Sequence, residues 1–201
     1  AHATQPEDMI RARWHDWLAS VEDGWHILSG CCDRIYLMGL SMGGMLSLTF
    51  AARHPVAGLV IMSAPHHLPS DPRLRFIKQL SRVQPFVSIE GEPNYFEPQA
   101  FQEHVSYPRT PTRALAELIE LSEQLRAALP VITAPALLIY SKNDNAVTQH
   151  ERHAELIYEG LGSQDKRLMW GENSSHVITC DAQRQTVFEA ANEFVQRTSS
   201  V

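Results

Sequence analysis

The sequence predicts an α/β fold, a mostly parallel sheet flanked by helices, with a helical insertion between two of its strands. Three observations carry this. Short strand-like runs at Ile35–Met38, Gly58–Ser63, Ala136–Tyr140 and Lys166–Trp170 alternate with longer segments of helical periodicity, the pattern of parallel strands joined by crossover helices. A glycine-bracketed turn, Gly39-Leu40-Ser41-Met42-Gly43-Gly44, links the first strand to a helix. The middle of the chain changes character, since Pro69, Pro72, Pro85, Pro93, Pro98, Pro108 and Pro111 break it into short pieces.

Each element has its own signal. From Pro6 to Leu28, Trp14, Trp17, Leu18, Val21 and Trp25 follow the i, i+3, i+4 rule of an amphipathic helix. Ile35-Tyr36-Leu37-Met38 is a continuous apolar run, expected of a strand buried on both faces. After the turn, Met45, Leu46, Leu48, Thr49 and Ala52 repeat at helical spacing, and His54-Pro55 closes the helix. Residues 1–65 therefore belong to the core. Residues 66–130 read as a cap or lid, with helices near Leu74–Val83 and Arg113–Leu129. Residues 131–201 return to the core pattern and end on a helix at Gln183–Arg197.

Composition bounds the function. A chain of 201 residues with 44% hydrophobic content suits one domain with a sizeable core. A net charge of −6 leaves no basic footprint for nucleic acid. No apolar run reaches membrane-spanning length and no signal peptide is visible. Cys31, Cys32 and Cys180 do not form a disulfide framework, which favours a reducing cytoplasm.

The turn is where chemistry enters. It contains Gly-x-Ser-x-Gly, a motif that alone arises by chance in roughly several per cent of chains this long. Its context is more specific. A serine at a sharp strand-to-helix turn is pushed out of the fold, and glycines relieve the crowding beside it. The helix that follows aims free N–H groups and its positive dipole end at the serine, with the Met42 N–H as a candidate oxyanion donor. A serine hydroxyl also needs a base, and the base an orienting acid. Asp144 lies just past the Ala136–Tyr140 strand, and His176 ends the polar loop after Lys166–Trp170. The order Ser41, Asp144, His176 differs from that of chymotrypsin-like and subtilisin-like proteases. Asp144 also reads as a turn residue in Lys-Asn-Asp-Asn, and Glu172 and Asp181 are alternative acids that lie closer to His176 in sequence.

These segments resemble the α/β-hydrolases of the carboxylesterase and monoacylglycerol lipase group. The resemblance rests on Gly39–Gly44, Ile61-Met62-Ser63-Ala64-Pro65, Pro135 through Asp144, and Ser174-Ser175-His176-Val177-Ile178-Thr179. It covers nearly the whole chain, the middle third matching least. It implies that Ser41 is the nucleophile, His176 the base and Asp144 its partner, acting on a small-molecule ester or monoacylglycerol without metal or cofactor. In that family a second oxyanion donor comes from a His-Gly loop that is not recognisable here. The chain opens at a segment that follows the family's first strands, so the expectation is an N-terminally truncated sheet lacking that donor, a natural short variant being the alternative.

Other features have plainer readings. Leu118, Leu121 and Leu125, on the stripe of the Arg113–Leu129 helix, could line an acyl pocket or pack into the core. His66 and His67 read as loop histidines rather than a metal pair. His150 and His153 read as a solvated helix face, and Glu90, Glu92 and Glu97 as loop acids. An amide or peptide hydrolase, and a binding protein that lacks catalysis, stand as alternatives to the esterase.

Overall fold

The computed structural model of the chain describes residues 5–68, 74, 76–88 and 94–200. A 3-10 turn at Pro6–Ile10 precedes helix α1 (Trp14–Ser29). Strand β1 (Tyr36–Leu40), helix α2 (Met42–Ala51) and strand β2 (Gly58–Met62) follow. The middle holds α3 (Ile77–Val83), β3 (Phe86–Ser88), α4 (Pro98–Glu103), β4 (Arg109–Pro111) and α5 (Thr112–Ala128). Strand β5 (Ala136–Ser141), helix α6 (His150–Gly160), strand β6 (Lys166–Gly171) and helix α7 (Arg184–Ser199) complete the order.

Four strands form a parallel sheet in the order β1-β2-β5-β6. Strand alternation divides its side chains between two faces. Leu59, Ile61, Leu138 and Tyr140 join residues of α1, α2, α5 and α6 in the larger core cluster. Val60, Met62, Leu137 and Ile139 face α7 through Val187 and Phe194. Covering both faces explains why β2 and β5 are buried at every position.

Several expectations change in detail. Strand β1 is hydrogen-bonded on one side alone among the described residues, and Met38 on it is 51% exposed, so this strand is not buried on both faces. The predicted Pro6–Leu28 helix is interrupted: Arg13 is extended (φ −116°, ψ 160°), and the Asp16 carboxylate accepts its N–H at 2.8 Å to start α1 afresh. The buried Glu117 of α5 fastens this start, accepting the Trp14 N–H at 3.3 Å while paired with Arg113 at 2.6 Å. Helix α3 begins at Ile77 rather than Leu74. The middle region also holds a hairpin of β3 and β4 that periodicity did not indicate, because three-residue strands carry too short a pattern. Ala1–Thr4, Pro69, Pro72, Pro93, Glu90 and Glu92 lie outside the described residues.

Candidate active site

All the candidate groups stand at the carboxyl edge of the parallel sheet, where open α/β sheets build their sites. Ser41 follows β1, Asp144 follows β5 and His176 follows β6. At Ser41 the backbone takes φ 52° and ψ −119°, a left-handed conformation that costs a non-glycine residue energy. Its N–H is held by the Met62 carbonyl of β2 at 2.8 Å, so the neighbouring strand helps to maintain the strained turn.

The glycines around the turn divide the work differently from the expectation. A Cβ on Gly39 would lie 2.3 Å from the Gly43 backbone, and one on Gly44 would meet the Ala64 Cβ at 2.8 Å. A Cβ on Gly43 would meet nothing within 4 Å. The close approaches thus require Gly39 and Gly44, whereas Gly43 supplies the surface that Gly39 packs on. Met42 is the first residue of α2, and its N–H has no intrahelical partner.

The acid loop and the histidine loop are joined directly. His176 Nδ1 lies 2.7 Å from Asp144 Oδ2. The other oxygen of Asp144 accepts the N–H groups of Ala146 at 2.9 Å and Val147 at 3.1 Å. Asp144 is therefore both a turn residue and the partner of the imidazole, and the turn aims its second oxygen. The residue is 4% exposed. Ser141, at the end of β5, donates its hydroxyl to the Ser174 carbonyl and accepts the Asn143 N–H at 3.0 Å, which ties the two loops together. Sequence reading passed over Ser141, although a serine closing an apolar strand was a visible signal. Neither Ser41 Oγ nor His176 Nε2 makes a hydrogen bond among the described residues.

The alternative acids go elsewhere. Glu172 is exposed and pairs with Lys142 at 2.9 Å, which holds its carboxyl below the usual range. Asp181 is 0% exposed, and its oxygens accept backbone N–H groups rather than the imidazole.

One expected role needs correction, that of His153, and the α5 stripe takes one of its two expected readings. Leu121 and Leu125 are fully buried in the larger core cluster, and Leu118 is partly buried against it. None of the three borders the cavity of about 550 Å³ that lies between α4 and the histidine loop. Leu121 and Leu125 thus pack into the core, the second of the two readings open for this stripe. His153 is 4% exposed rather than solvated. Its Nδ1 accepts the His66 N–H at 3.0 Å and its Nε2 lies 3.1 Å from the Thr148 carbonyl. His66 and His67 sit in the loop after β2, with their Nδ1 atoms 3.2 Å apart. Among the described residues no group of three or more His, Cys, Asp or Glu side chains is arranged to hold a metal ion.

Comparison with known proteins identifies the family. A family model described as serine aminopeptidase, S33, matches residues 11–183. A thermostable monoacylglycerol lipase of Bacillus sp. (strain H-257) is 33% identical, the match covering 96% of this chain and 75% of that protein. A carboxylesterase of Bacillus subtilis (strain 168) is 30% identical over 98% of this chain and 78% of its own length. A solved structure from work on the metagenome-derived lipolytic enzymes LipS and LipT superposes with a TM-score of 0.85 at 31% identity, covering 98% of this chain and 78% of that one. The chain belongs to the α/β-hydrolase family described as serine aminopeptidase, S33, and within it stands among enzymes named for carboxylic-ester hydrolysis.

Proposed function

We propose that this protein is a serine hydrolase that cleaves carboxylic esters of small to medium acyl chains, monoacylglycerols among them, through an acyl-enzyme. The observation that carries the reading is the 2.7 Å contact between Asp144 and His176 at the sheet edge that bears the strained Ser41 turn. Asp144 accepts the Nδ1 proton of the imidazole, which leaves the Nε2 lone pair to act as base. Nε2 takes the Ser41 proton as Oγ attacks the ester carbonyl, and the Met42 N–H stabilises the oxygen that becomes negative. Collapse expels the alcohol, protonated by His176, and water then repeats the steps to release the acid. No second oxyanion donor is identified among the described residues.

The relatives named as esterase and lipase support the ester reading over the amide. Residues 66–130, which carry α3, α4 and the β3–β4 hairpin, act in this proposal as the cap over the site. The three cysteines are all free and exposed, which fits a reducing compartment. No helix among the described residues is long and apolar enough to cross a membrane.

The test is Ser41→Ala with a fluorophosphonate probe and a panel of p-nitrophenyl esters and anilides of graded acyl length. The wild type should label at Ser41 and hydrolyse esters faster than anilides. The variant should fold, lose the label and lose about 10⁴-fold or more in kcat. Labelling that persists without Ser41 would overturn the assignment, and faster anilide cleavage would favour a peptidase.

A further inference from the structure

Asp181 holds two separate parts of the protein on one buried carboxylate. Its Oδ2 accepts the N–H of Ser175, the residue before His176, at 2.6 Å. Its Oδ1 accepts the N–H groups of Phe96 at 2.9 Å and Glu97 at 2.8 Å, on the segment that leads into α4. The Ala182 N–H adds a fourth contact, at 2.8 Å. The residue is 0% exposed. A carboxylate that accepts N–H groups at both oxygens has a defined orientation, and charge-assisted bonds of this kind are short and directional. The cavity of about 550 Å³ opens between the same two segments, with Tyr95, Glu97, Ala100 and His104 on one wall and Val177, Thr179 and Cys180 on the other.

We propose that Asp181 is a positioning residue that couples the placement of the α4 segment to the orientation of His176. The proposal rests on His176 being the base. The backbone at Ser175 sets where the next side chain starts, and Asp144 fixes its ring at the other end. Because one carboxylate holds both Ser175 and the Phe96–Glu97 pair, displacing the α4 segment shifts the base. Reaction at Ser41 is sensitive to such shifts, since misplacing a catalytic group by an ångström costs about 100-fold. In this arrangement the base is correctly aimed when the α4 segment is seated.

Two substitutions test the coupling from its two ends. In Asp181→Asn the amide must turn its NH₂ toward either the Ser175 N–H or the Phe96–Glu97 pair, so one side loses its acceptor. Glu97→Pro deletes one donor on the α4 side; Glu97 has an extended backbone (φ −94°, ψ 113°) that must turn by roughly 15° in φ to enter proline's range. Glu97→Ala, which keeps the N–H, controls for loss of the side chain near Arg184. The readouts are the rate of fluorophosphonate labelling at Ser41, kcat and KM on a p-nitrophenyl ester, and the unfolding temperature.

Asp181→Asn should lower labelling and kcat by about 10- to 100-fold, with KM within about twofold of wild type. Glu97→Pro should slow labelling about fivefold, the weight of one lost hydrogen bond, while Glu97→Ala stays near wild type. If Asp181→Asn does not fold, the Glu97 pair decides alone. Folded variants with lowered unfolding temperature but labelling and kcat within about twofold of wild type would make Asp181 a purely structural clamp and overturn the proposal. A wild type that does not label at Ser41 would defeat the site itself, an outcome distinct from loss of coupling.

Discussion

At Ser41 a strained backbone is held by the Met62 carbonyl, so the proposed nucleophile sits on a fixed turn. Asp144 works differently, since one oxygen builds its own loop and the other meets His176. Asp144→Asn keeps the shape and removes the charge. It should cut kcat by about 10⁴-fold, because the imidazole is then held in the wrong tautomer. Ester turnover with folding checked by circular dichroism measures this, and near-wild-type turnover would transfer the role to another acid. The histidines beside the site make a second residue-scale prediction. Burial, more than any other cause, holds His66, His67 and His153 below the ordinary 6.5, His66 at about 4; the neighbouring His67 adds to it at His66 and His153, and Arg126 at His66 and His67. Below pH 6.5, and for His66 down to about 4, the unfolded chain therefore binds more protons at these groups than the folded one. Stability should rise with pH across that window and be lost as pH falls through it. His153→Gln, whose amide can still accept the His66 N–H and donate to the Thr148 carbonyl, should flatten the slope of urea midpoint against pH. An unchanged slope would remove His153 from the titration.

Among the elements, α5 shows how periodicity finds a buried face without naming what covers it. Its stripe packs on α2 through Leu121 and Leu125, and Glu117 reaches from the same helix to the start of α1. Leu125→Ala should lower stability by about 2–5 kcal/mol, the range for truncating a buried leucine. Its acyl-length preference should match wild type. Equal stability with an altered preference would return Leu125 to a substrate pocket. The break before α1 has a similar lesson. The tryptophan spacing was correct for Trp14 onward, but the Asp16 cap at Arg13 is a local hydrogen bond that hydrophobic spacing does not record.

For the whole molecule, the unpaired side of β1 matters most. Among the described residues this strand borders the sheet, and the half-exposed Met38 lies on its α7 face. Open strand edges with apolar side chains invite pairing with another chain. We expect the 201-residue protein to self-associate with rising concentration and Met38→Lys to reduce this. Sedimentation velocity over a concentration series measures both, and identical behaviour of the two proteins would place the association elsewhere.

Local pattern in the sequence determined the alternation of strands and helices, the turn at Ser41, and the chain order of the three candidate catalytic residues, because each is written in contiguous residues. The fully buried β2 and β5 were legible for the same reason, as unbroken apolar runs. What the tertiary structure decided was partnership. Asp144, Asp181 and Glu172 were all plausible acids, and only the packing of loops after β5 and β6 brings Asp144 to the His176 ring while Asp181 turns to backbone N–H groups. His153 looked like a surface residue, and Leu125 was open between a pocket and the core; both proved buried, since burial depends on which distant element lies opposite. A side chain's chemistry is written in the sequence, but its neighbours are set by long-range packing, and in this protein the neighbours distinguish one carboxylate's role from another's.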